Sequence, residues 1–198
     1  MNRDGLASGQ GRLISGELLL FSGHENAPHT QGVALMLSRT AQRALVRWEG
    51  LGPRIVTATV RINERRINMD VIQCYTPTND SDDQDKEEFY SRLLTIIQDR
   101  SERNVTIVMG DFNAKIGSDN SGHEEIMGQQ GLGEMNDNDG RFVDLCAKSD
   151  LAIAGCFFQH RRTQKATWVS PDLQTENQID HICIAKRFQR TLRNMRVR

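Results

Sequence analysis

Apolar and polar positions alternate in short blocks along this chain, and most blocks are strand-sized. Residues 13–21 and Gly32–Leu37 read as strands, with a polar loop at 22–31 between them. Ser38 is placed to cap a short helix, because Ala41, Ala44, Leu45 and Trp48 follow a helical period. Residues 54–62 alternate and are β-branched: Ile55, Thr57 and Thr59 fall on one face, and Val56, Ala58, Val60 and Ile62 on the other. A polar turn at 63–66 and a second strand at 67–74 make a hairpin. Pro77 and the acids from Asp80 to Asp85 then open a helix, since carboxylates suit the unpaired amides of a helix N-terminus. Phe89, Leu93, Ile96 and Ile97 are its buried stripe.

A strand is predicted at 104–109, broken sharply at Gly110. Residues 117–140 are rich in Gly, Asn and Asp and read as a long loop. Phe142, Leu145 and Cys146 suggest a short helix; 151–156, 166–169 and 178–184 are strand-like. The sum is about eight strands and three helices. Hairpins mixed with crossover helices predict an α+β fold or a mixed-sheet sandwich, not a parallel doubly wound sheet.

Composition changes this picture little. A chain of 198 residues can bury one core, and 37% hydrophobic with 26% charged is ordinary globular usage. No apolar run approaches the roughly 18–20 residues of a membrane span, and residues 1–12 are Gly-rich, polar and expected to be loose, with no signal-peptide core. Cys74, Cys146, Cys156 and Cys183 have no zinc spacing and read as buried free thiols of a reducing compartment, with two disulfides the alternative. Charge is uneven. The net is −1, yet residues 160–198 hold nine basic and three acidic side chains, and 186–198 six basic and no acidic ones. Such an end attracts a polyanion or is simply a solvated face.

The chemistry concentrates at three strand ends. Gly110-Asp111-Phe112-Asn113 follows a buried strand, so acid and amide project to one side at its mouth. Asp can orient a water or bind a metal, and Asn can donate to a phosphate oxygen. An Asx-type turn is the plain structural alternative. Tyr75 lies just past another strand, in Tyr75-Thr76-Pro77. Asp180 sits inside an apolar strand, Ile179-Asp180-His181-Ile182, where an acid is costly unless paired. A structural hydrogen bond to a loop is the alternative there. Thr167 adds a hydroxyl, and Trp168 reads as core.

The order Tyr-x-Pro, Gly-Asp-x-Asn, Thr-Trp, Ile-Asp-His resembles the endonuclease/exonuclease/phosphatase superfamily. The wording of Ser22-Gly23-His24-Glu25, of Ala27-Pro28-His29-Thr30-Gln31-Gly32 and of Thr175-Glu176-Asn177-Gln178 is most similar to the RTE-type non-LTR retrotransposon endonucleases and the craniofacial development protein 2-like group. The resemblance runs from about Gly9 onward. It implies a four-layer α/β/β/α sandwich, deoxyribonuclease I-like, as one domain over residues 13–198. It implies Mg²⁺-dependent, or Mn²⁺-dependent, hydrolysis of DNA phosphodiesters in an intracellular setting, nuclear or cytoplasmic. Asp111 would activate water, Asn113 and Tyr75 would hold phosphate, Thr167 would line the cleft, and Asp180 would orient a histidine.

The pattern also departs from the family. Its opening Asn strand, its metal-binding Glu strand and its final Ser-Asp-His strand are not found here, so no complete metal ligand set is expected. Asp4, Glu17 and Glu25 are weak substitutes. His181 follows Asp180 directly and should face away from it. The expectation is therefore an incomplete domain, weakly active or inactive. The alternatives are a non-catalytic nucleic-acid or protein-binding fragment, a phosphatase of the same superfamily, or a relic that does not fold.

Overall fold

A computed structural model describes residues 6–24, 32–62, 67–133 and 137–196. Glu25, Asp4, the motif at 27–31 and the hairpin turn at 63–66 lie outside them. The chain forms two compact units, residues 1–75 with 100–108, and residues 76–99 with 109–198.

The first unit is built from hairpins. β1 (Leu6–Arg12), β2 (Leu18–His24) and β3 (Gly32–Leu37) form an antiparallel three-stranded sheet. Residues 6–12 are therefore a strand and not a loose segment. The reason is tertiary: a Cβ on Gly9 would come within 2.7 Å of the Phe21 ring, so the small residue leaves room for that ring across the pair. Ser38 caps α1 (Arg39–Ala44) through its side chain, as expected, but the helix stops at Ala44. Residues from Leu45 on form β4 (Leu45–Gly50), antiparallel to β5 (Ile55–Arg61). Leu45 and Trp48 fit the continuation of a helical stripe by spacing alone. Cross-strand pairing of Leu45, Arg47 and Trp48 with β5 outweighs that period.

β5 pairs antiparallel with β6 (Asn68–Tyr75), and β7 (Val105–Asp111) follows in the order β4-β5-β6-β7. β2 and β3 pack on β5 and β6 in a sheet-on-sheet core, in which Leu20, Val33 and Leu35 of one sheet are buried, and Ile55, Val56 and Ile72 of the other are buried as well. Among the described residues of this unit one acid, Asp70, is buried. Asp70 accepts from Thr59 Oγ1 at 2.6 Å and from Asn104 Nδ2 at 2.7 Å, which offsets its desolvation.

The second unit lays helices on a sheet. It holds the end of β7, from Met109 on, and β11 (Asp180–Ala185), which pairs antiparallel with β8 (Leu151–Ile153). β7 does not stop at Gly110; that glycine, at φ +150°, lets the strand run on to Asp111. α2 (Asp83–Gln98) buries the expected stripe of Phe89, Leu93, Ile96 and Ile97, together with Tyr90 and Lys86. Its N-cap is Asp82, which accepts from the Asp85 amide at 2.7 Å. α3 (Asp137–Lys148) packs on α2 and β8. The Phe142 and Phe112 rings lie tilted against each other, centroids 4.2 Å apart. The long loop is real from 117 to 133 but well packed: Ile126 and Met127 are buried, and the Ile153 amide donates to Ile126 O at 2.8 Å. β9 (Trp168–Val169) and β10 (Glu176–Asn177) form a small antiparallel hairpin. Trp168, expected in the core, is 40% exposed there, because this hairpin pairs only with itself.

All four cysteines are buried free thiols, with Cys146 and Cys183 Sγ 3.8 Å apart. No helix among the described residues is long and apolar enough to cross a membrane.

Candidate active site

The site grows from the end of β7. Asp111 is the last strand residue, and its Oδ1 accepts the Asn113 amide at 2.8 Å. This is the Asx-type turn that the motif allowed, and it holds the carboxylate in one orientation. Asn113 takes φ +48°, a left-handed value that Asn tolerates better than most residues. Its Nδ2 donates to Thr76 O at 3.2 Å. Thr76 in turn donates from its amide (2.9 Å) and its Oγ1 (3.3 Å) to Asp111 O. Two chain segments are thus laced together around one acid and one amide.

Asp180 reaches the same place from β11. The Phe112 amide donates to Ile179 O at 2.9 Å, and the charge of Asp180 acts on Asp111. Burial pushes the Asp111 carboxyl above the usual carboxylate range; the Asn113 amide opposes this and Asp180 adds to it. The expected desolvation of Asp180 is not found. It is the first residue of β11 and exposed, so it needs no compensating partner. Thr167 Oγ1 accepts the amides of Ile179 (3.0 Å) and Asp180 (3.1 Å), fixing the start of β11. A hydroxyl that accepts twice still has its own O–H to give.

His181 does face away from Asp180. It is buried, stacks on Phe142 at 5.1 Å and donates from Nε2 to Ala114 O at 2.8 Å. Burial holds its pKa down to about 4, against the pull of the Ala114 bond and Asp180. It is a neutral core residue. Tyr75 belongs to the first unit, at the end of β6. There the Arg54 guanidinium lies 5.1 Å from its ring centroid and its amide donates to Arg54 O at 3.0 Å. Of the substitute acids, Glu17 is described, and it is engaged by Ser15 and faced by Arg39, which lower its pKa.

Two residues escape the sequence reading. Asn138 and Asp139 lie in the first turn of α3 and are fully buried. Asp139 Oδ1 accepts the Lys115 amide, just beyond the Asp111–Asn113 turn. Burial pushes its carboxyl up to about 7, although the Lys115 amide and charge pull it down. A signal is present: an Asn/Asp run directly ahead of the apolar period Phe142, Leu145, Cys146 marks a helix start. By composition the same run reads as the tail of a loop.

Several solved structures share this architecture. The endonuclease domain of TRAS1, a telomere-specific non-LTR retrotransposon, matches with TM-score 0.52 and 12% identity over 94% of this chain and 69% of that one. TDP2 of D. rerio, complexed with single strand DNA product, matches with TM-score 0.54 and 11% identity over 91% and 70%. The AP endonuclease LMAP from Leishmania major matches with TM-score 0.53 and 11% identity over 94% and 64%. The fold is deoxyribonuclease I-like.

In sequence, this deoxyribonuclease I-like chain is 28% identical over 191 residues to craniofacial development protein 2 of Tragulus javanicus and of Bos taurus. That covers 96% of this chain and 33% and 32% of those proteins, so the chain spans about a third of the length of the curated relatives it matches. No protein-family model matches the chain.

Proposed function

We propose that this chain is a divalent-metal-dependent endonuclease domain, of non-LTR retrotransposon descent, that hydrolyses phosphodiester bonds in DNA. The observation that carries the reading is the Asp111 carboxylate: half-buried, oriented by the Asn113 amide, and raised in pKa beside a second acid. A base with a raised pKa takes a proton from water more readily than an ordinary surface carboxylate does. Asp111 would hold and deprotonate the attacking water. Asn113 and the Thr167 hydroxyl would donate to the phosphate oxygens, and Asp180 would tune Asp111 by its charge. The neighbour that holds a single strand DNA product makes DNA the favoured substrate class.

The donor set suits Mg²⁺ or Mn²⁺. Among the described residues no three His, Cys, Asp or Glu form a metal cluster. Mg²⁺ asks for less than that: one or two carboxylates, with water and substrate phosphate completing its shell. Asp111 and Asp180 supply those oxygens. When bound, the cation would neutralise charge on the phosphate and the leaving oxygen.

Nicking of supercoiled plasmid by the purified chain tests the reading, run with Mg²⁺, with chelator, and beside Asp111→Ala. Nicking that requires both the metal and Asp111 is expected. Salt-dependent DNA binding without a nicked product would instead make the chain a binding module.

A further inference from the structure

The segments that carry the site converge on one turn of α3. Asn138 Nδ2 donates to Pro77 O at 3.4 Å, one residue beyond Thr76. Asp139 Oδ1 accepts the Lys115 amide, two residues beyond Asn113. Between these anchors, Thr76 and the Asp111–Asn113 turn are tied by three hydrogen bonds, two into Asp111 O and one from Asn113 Nδ2. His181 closes the set by holding Ala114 O. All of these residues belong to the second unit.

This arrangement is a poor way to make a stable core. Asn138 and Asp139 are both 0% exposed. Asn138 Oδ1 has no hydrogen-bond partner among the described residues. An unmet buried acceptor costs about 1–3 kcal/mol, and an apolar side chain at the same position would avoid that cost. What the polar pair does supply is direction: Asn138 holds the Thr76–Pro77 segment, and Asp139 holds the segment that runs on from Asp111 through Asn113 to Lys115. We propose that Asn138 and Asp139 are positioning residues that hold the Thr76–Pro77 and Phe112–Lys115 segments in register for phosphodiester hydrolysis. The positioning role rests on the function proposed above; the anchoring itself does not.

The test is Asp139→Ala and Asp139→Asn in the full chain, read by site-resolved amide hydrogen exchange and by steady-state nicking kinetics. Asp139→Ala should speed exchange at residues 112–115 about tenfold or more, with β8 amides unchanged. It should lower kcat about tenfold or more with KM held, because the loop is displaced and the binding groups remain. Asp139→Asn keeps an acceptor oxygen and should restore both to within about threefold. Should Asp139→Ala lose its cooperative melt, Asp139→Ser takes its place, its hydroxyl being too short to reach Lys115. Unchanged exchange at 112–115, or an equal rise there and in β8, overturns the proposal. A wild-type chain that nicks nothing overturns the proposed function instead, and the exchange result still decides whether the pair holds the loop.

Discussion

Two buried titratable groups, Asp139 and His181, oppose each other across the same pH range. The Asp139 pKa is raised to about 7, so its contribution to stability is full below the unfolded value near 4 and is lost as pH rises through about 7. The His181 pKa is lowered to about 4, so its contribution is full above about 6.5 and is lost as pH falls through about 4. The two effects offset each other between pH 4 and 7. Urea melts should therefore show shallow pH dependence in the wild type. Asp139→Asn leaves the histidine unopposed, and its stability should fall as pH drops from 7 to 4. Activity follows another residue. Asp111 must be ionised to act as a base, and in the metal-free chain its carboxyl should titrate, by carboxyl-carbon NMR, through a midpoint above the ordinary Asp value of about 3.9. Asp180→Asn removes a like charge and should move that midpoint down, even as it lowers the rate. A midpoint unmoved by that substitution would remove Asp180 from the tuning of Asp111.

At the level of elements, the turns and caps carry as much information as the strands. Asp82→Ala deletes the α2 cap and should cost about 1 kcal/mol in a thermal melt. The loop at 117–133 gives a sharper contrast. A Cβ on Gly131 would sit 1.7 Å from Gly117 O, while one on Gly122 meets nothing within 4 Å. Gly131→Ala should destabilise by about 1–3 kcal/mol through backbone displacement. Gly122→Ala, at φ +79°, should cost only the left-handed strain of about 1–2 kcal/mol. Equal losses would mean that the loop yields at Gly131. This loop is legible as a loop because Gly, Asn and Asp dominate it. Its packing is not, because Gly128 is required by the backbone of Cys156, outside the loop, and Gly131 by that of Gly117 at the loop's other end.

At the level of the molecule, the uneven charge becomes a measurable property. Arg187, Arg190 and Arg193 are exposed on the basic C-terminal stretch. If they face DNA phosphates, replacing all three with Gln should flatten the slope of log K against log salt by about 0.9 for each phosphate no longer neutralised. An unchanged slope would leave this stretch a solvated face.

The sequence by itself determined the α+β class and the α2 stripe, and it offered the buried thiols and the Asp111–Asn113 turn as readings beside an alternative. Each of these depends on neighbours within a few positions, where periodicity and turn chemistry act directly. Tertiary structure decided the rest. β1 and β4 are strands because partners pair with them, against a Gly-rich composition in one case and a helical period in the other. Asp180 is exposed because it opens its strand, and Trp168 is exposed because its hairpin has only itself to pair with. Asn138 and Asp139 became part of the site because the fold carries the first turn of α3 to backbone groups from about 24 to 61 positions away in the chain, a proximity that no local pattern encodes.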